Sequence, residues 1–218
     1  MSNEAFVVDL HCHPNLKAFN SGYPKPTHTM WEKIEHKIDG RFAHIISERS
    51  QHVLKESQCN LYAMSDGNVR VFNVSLYPTE RGFLHLRNIP KMLIGKNRIN
   101  VMQQVITGYT ADSIVEQKKH YNYFDDLQKE YRFVYDTQGK SPDSKKRFVL
   151  VNNYDELQQA LSKPNTLIGI ISIEGGHVLG MASDDADGLT LTEKKELISK
   201  NVAAIKAWEV PPFTINLA

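Results

Sequence analysis

Leu167-Ile168-Gly169-Ile170-Ile171-Ser172-Ile173-Glu174-Gly175-Gly176-His177 is a nearly continuous apolar run that ends in a carboxylate and two glycines. Such a run reads as a parallel strand covered on both faces, not as a half-exposed strand with alternating polarity. Glycines after it let the backbone turn sharply and pass close to a ligand. In parallel β/α proteins the C-terminal ends of the strands form the active face. Glu174 therefore stands where chemistry is done, although a turn or helix-capping carboxylate is the plain alternative for a glutamate taken alone.

A second strand end carries metal-type ligands. Phe6-Val7-Val8-Asp9-Leu10-His11-Cys12-His13 leads from an apolar run into two histidines spaced i, i+2. Alternate strand residues project to one face, so His11 and His13 can serve one metal ion. Imidazole suits zinc, iron, nickel and copper alike, so the pair implies a metal without naming it. Cys12 points the other way and is expected to pack. Asp9 shares the histidines' alternation and reads as an orienting hydrogen-bond acceptor. His177, after the glycine pair, can support the site from a loop without being a ligand. His28, His36, His44, His52, His85 and His120 lack ligand spacing and read as surface residues. Cys12 and Cys59 do not make a disulfide framework, and Cys59 has nothing near it in sequence to activate it.

Further strand-like runs lie at Val69–Leu76, Phe148–Val151 and Phe213–Ala218. Helical spacing appears from Trp31 through Ile34 and Ile38 to Leu54, and from Asp112 through Ile114, Tyr121, Phe124 and Leu127 to Tyr131. Asp155–Ser162 is a short helix, and Thr192 is the expected N-cap of Glu193–Lys206. Strands alternating with helices predict an α/β fold of parallel β/α units, as a barrel or a doubly wound sheet. One domain spanning 1–218 is expected, with an inserted helical subdomain at about 78–147. An insertion of that length suits a lid, a homodimer contact or plain surface elaboration. Its aromatic residues Tyr121, Tyr123, Phe124 and Tyr131 are read as subdomain core.

With 218 residues, 41% hydrophobic and 23% charged, the composition is that of an ordinary globular protein. A formal net charge of +1 gives no reason to expect nucleic acid or an anionic membrane as partner. No run approaches the roughly 20 apolar residues of a membrane-spanning helix. Met1-Ser2-Asn3-Glu4 lacks a signal-peptide pattern, so a cytoplasmic location is expected.

Glu174-Gly175-Gly176-His177 behind its strand resembles the central motif of the membrane (renal-type) dipeptidases of the amidohydrolase superfamily. The His-x-His strand, the long insertion and the later helix–strand unit fall in the matching order. The family's first strand usually carries His-x-Asp, whereas His13 gives this chain the His-x-His of the wider superfamily. The resemblance implies a (β/α)₈ TIM barrel and two divalent ions, zinc foremost, bridged by Glu174. It implies a metallo-dipeptidase-like hydrolase acting on a dipeptide or similar small amide. The family expects further histidines and an aspartate on later strands. On that layout the chain is the N-terminal part of a barrel, with open strand edges, and is expected to be inactive alone. Two rivals stand beside it. A PHP-type phosphoesterase also begins with a strand like Asp9-Leu10-His11-Cys12-His13. A non-catalytic barrel could act as a binding or scaffold protein.

Overall fold

The strand around Leu167 is buried along nearly its whole length and lies at the centre of the sheet. The computed structural model describes residues 5–23, 25–34, 59–82, 107–119 and 121–216. In chain order the elements are β1 (Val7–Cys12), α1 (Leu16–Ser21), α2 (Leu61–Asp66), β2 (Val69–Leu76), α3 (Ala111–Gln117) and α4 (Tyr123–Asp136). They continue with β3 (Gly139–Lys140), β4 (Arg147–Leu150), α5 (Tyr154–Leu161), β5 (Thr166–Glu174), α6 (Leu191–Lys206) and β6 (Thr214–Asn216). Two 3-10 turns, Gly176–Leu179 and Asp184–Ala186, join β5 to α6.

The fold is mixed α/β with a six-stranded, mostly parallel sheet in the order β1-β2-β5-β4-β3. The β3–β4 pair alone is antiparallel. β4 accompanies the first half of β5 (Thr166 to Gly169), and β6 takes over at Ser172 to Glu174. One side of β5 thus has two successive partners.

Side-chain parity divides the sheet into two unlike faces. Phe72, Val74 and Leu76 of β2, with Leu167, Ile171 and Ile173 of β5, pack under α2, α4 and α6 in the main core. On the opposite face, Val71, Ile168 and Ile170 meet α5 through Leu157, Ala160 and Leu161. Further along that second face the residues become polar: Asn73 and Ser75 on β2, Ser172 and Glu174 on β5. The apolar start holds the sheet to a helix, and the polar end is free for a site.

The strand readings hold within a residue or two, and Val69–Leu76 holds at both ends. The long helix expected from Asp112 is instead two. α3 is capped by Thr110, and a fresh N-cap at Asn122, whose side chain accepts from Asp125 N–H, starts α4. An asparagine side chain competes for backbone N–H groups and so favours a new start over continuation. Tyr121 and Tyr123 fill a small cluster with Tyr109 and Ile114, whereas Tyr131 and Phe124 belong to the main core.

The N-cap of α6 is Thr190, not Thr192. Its side chain accepts from Glu193 N–H while the Glu193 carboxylate returns to Thr190 N–H, a reciprocal capping box. Trp31 and Ile34 are buried but not helical; the rest of that expected helix, with His36, His44 and His52, lies outside the described residues, as do His85 and His120. No helix among the described residues is long and apolar enough to cross a membrane.

Candidate metal centre

β1 does not run straight into the site. Asp9 pairs with Phe72 and Cys12 with Val74, so three steps along β1 match two along β2. The extra residue makes a bulge, which re-aims the side chains beyond it. The Asn73 side chain reaches across and donates to the Leu10 carbonyl at 2.7 Å, supplying the bond that the disrupted ladder lacks. His11 N–H is satisfied by Asp9 Oδ1 at 3.0 Å. Asp9 therefore orients the backbone of His11, not its ring.

The three residues singled out from sequence converge. Glu174 Oε2 lies 3.1 Å from His13 Nε2 and 3.2 Å from His11 Nε2. The two rings meet edge-on with centroids 4.9 Å apart. Among the described residues this is the one group of three side chains arranged to share a metal ion.

The hydrogen bonds define which atoms are available. His13 Nδ1 lies 2.9 Å from the Ser75 carbonyl, which can only accept, so Nδ1 carries the proton and Nε2 keeps its lone pair. Burial pushes the His13 imidazole below its ordinary range, outweighing the Ser75 bond and the nearby carboxylate. The ring is neutral at pH 7. His11 Nδ1 lies 3.3 Å from Ser75 Oγ, which is in turn 3.0 Å from Ser172 Oγ. One residue, Ser75, thus orients both rings. Metal-bound histidines need this outer contact to fix tautomer and direction. Glu174 Oε2 is buried and has no hydrogen-bond partner. A carboxylate oxygen facing the lone pair of a neutral imidazole is an unfavourable arrangement until a cation lies between them.

The turn after β5 requires glycine at Gly175. Its φ is +89°, and a Cβ there would fall 2.4 Å from the His177 ring. His177 is not a ligand: its Nε2 donates to the Pro78 carbonyl at 2.8 Å. Its ring packs edge-on against Tyr77 and Tyr123, and Tyr77 in turn contacts His13. His177 thereby holds the turn carrying Glu174 against the segment that follows β2.

Beneath the site, the wholly buried Glu130 of α4 accepts from Tyr77 N–H at 2.9 Å and from the Asn15 side chain. Burial raises its carboxyl to about 8, with Asp126 adding to the rise and the two hydrogen bonds opposing it. Glu130 ties the loop after β1 to the end of β2. Glu209 stands apart from the site, accepting from Tyr131 OH at 3.1 Å.

Sequence reading missed Ser75, Ser172, Asn73 and Glu130. The first three had a faint signal: Val71-x-Asn73-x-Ser75 and Ile168-x-Ile170-x-Ser172-x-Glu174 drift from apolar to polar on one parity. Glu130 had none. Compared with known proteins, the chain matches no family model, no curated protein and no solved structure.

Proposed function

We propose that this chain carries the metal-binding strand ends of an amidohydrolase-type hydrolase that cleaves a dipeptide or similar small amide. The observation carrying this reading is Glu174 Oε2, buried without a donor between His11 Nε2 and His13 Nε2. Three protein ligands to one ion, with further positions open, is the pattern of a catalytic site; structural zinc sites are closed by four. His11, His13 and Glu174 would hold the ion, and on the two-ion layout that the resemblance implies Glu174 would serve both ions. Zinc suits the imidazole and carboxylate donors.

A bound divalent ion would lower the pKa of its water to about 7 and polarise the amide carbonyl. The chain's own residues prepare for this. The Ser75 carbonyl holds His13 in the tautomer that leaves Nε2 free, the Ser75 hydroxyl lies against Nδ1 of His11, burial keeps His13 neutral, and Gly175 lets the chain turn behind Glu174. β1, β2, β5 and β6 are each parallel to the next, as a (β/α)₈ barrel requires of its strands, while β4 pairs beside the first half of β5.

The test is elemental analysis of the purified protein, with dipeptide and phosphoester hydrolysis assayed on it. Bound zinc lost in His13→Ala, with chelator-sensitive dipeptide cleavage, supports the reading. Phosphoester cleavage alone points to the PHP-type alternative. Absence of metal overturns the metal reading and leaves a binding or scaffold role.

A further inference from the structure

The ends of β1 and β2 meet at the candidate metal centre, and a third element fastens them from below. Glu130 of α4, wholly buried, accepts from Tyr77 N–H at 2.9 Å with one oxygen and from the Asn15 side chain with the other. Asn15 stands two residues after His13, and Tyr77 two after Ser75, whose carbonyl takes the His13 Nδ1 proton. One carboxylate thus grips both the strand end that carries His13 and the strand end that aims it. Stability alone does not call for this arrangement, because a buried carboxylate is costly where a well-packed apolar side chain is not. Asn15 occupies the N-cap position of α1, where asparagine ordinarily bonds its own helix, yet its side chain makes no cap bond and turns to Glu130 instead. Its Oδ1 is left buried with no partner. Two donors arriving from separate segments need two acceptor oxygens on one group, which a carboxylate supplies and an amide does not.

We propose that Glu130 is a positioning residue of the candidate metal centre, acting through Asn15 on His13 and through Tyr77 on Ser75. It keeps the two strand ends at the spacing in which His13 Nδ1 meets the Ser75 carbonyl and Nε2 faces Glu174. Its effect on metal binding rests on the reading of His11, His13 and Glu174 as ligands; its hold on the His13 ring does not. Asp126 is the natural comparison. It is buried on the same helix one turn earlier, but it accepts from Tyr23 OH at 2.6 Å and from the Gln117 side chain at 3.1 Å, away from the strand ends.

The experiment makes two measurements on the wild type and on Glu130→Gln, Glu130→Leu and Asn15→Ala, with Asp126→Asn as control. NMR of isotopically labelled histidine reads the His13 tautomer in the metal-free protein, and competition with a chromophoric chelator reads zinc affinity. The wild type is expected to hold the His13 proton on Nδ1. Glu130→Leu and Asn15→Ala should let the Nε2–H form appear and weaken zinc binding roughly 10-fold. Glu130→Gln, which keeps one acceptor oxygen, should fall between, and Asp126→Asn should lose stability in urea while changing neither reading. If Glu130→Leu does not fold, Glu130→Gln and Asn15→Ala carry the test. A tautomer unmoved in the Glu130 variants, or moved equally in Asp126→Asn, overturns the proposal. A wild type that binds no zinc, with the tautomer still moved by the Glu130 variants, upholds the hold on His13 and overturns the metal reading instead.

Discussion

Ser75 sets the direction of His13: the backbone carbonyl of one takes the Nδ1 proton of the other at 2.9 Å, aiming Nε2 at Glu174. The hydroxyl of Ser75 lies in the same way beside Nδ1 of His11. Ser75→Ala removes the hydroxyl but leaves the carbonyl. It is expected to weaken zinc binding roughly 10-fold, the usual cost of losing an outer contact to a ligand. His13→Ala should weaken it far more. Competition titration against a chromophoric chelator measures both, and equal losses would contradict this division of roles.

Glu174→Gln separates binding from folding. The amide has no negative charge to offer an ion, and its NH₂ can donate to the imidazole lone pairs. Metal-dependent thermal stabilisation should vanish, while the metal-free protein gains about 1 kcal/mol because a buried carboxylate oxygen no longer lacks a partner. Thermal melts with and without zinc, at one protein concentration, test both halves.

Gly175→Ala should cost roughly 1–3 kcal/mol, since alanine is strained at φ +89° and its Cβ meets the His177 ring. Urea denaturation reads the loss. The same variant should bind zinc more weakly, because the turn it disturbs carries Glu174. An unchanged midpoint would mean that His177 moves aside freely.

Glu130 predicts a pH dependence with a definite sign. Its carboxyl is raised by burial to about 8 in the folded protein, against an ordinary value of 4.5. Between these values the folded state holds a proton that the unfolded state has lost. Stability is therefore fully present below about 4.5, falls as pH rises, and levels off above about 8. The total fall is at most a few kcal/mol, each unit of difference being worth about 1.4 kcal/mol. Glu130→Gln should remove this component from stability measured by urea titration at pH 5, 7 and 9. The same slope in wild type and variant would assign it elsewhere.

The three residues that could hold a metal ion were legible because each ends an apolar run, and strand ends are read from local pattern alone. What was not legible depends on contacts between distant segments. Ser75 matters because β2 lies between β1 and β5, an order no local pattern states. Glu130 sits on a helix whose covered face becomes known only once α4 is laid on the sheet. Thr190 was a different kind of miss: Thr190-Leu191-Thr192-Glu193 offers two caps, and only Thr190 has a glutamate three residues on to complete the box. The α3–α4 break was signalled by Asn122 and overridden by the spacing of aromatic residues.

The change from apolar to polar along one face of β2 and β5 bears on substitution. Val71, Ile168 and Ile170 secure the sheet to α5, while Asn73, Ser75, Ser172 and Glu174, only a few positions onward, face the candidate site. The residues that secure the sheet and those that line the candidate site are neighbours in sequence but separate in their contacts. Residues at the strand ends and in the turns beyond them can therefore be exchanged without touching the apolar contacts that fasten the sheet to α5.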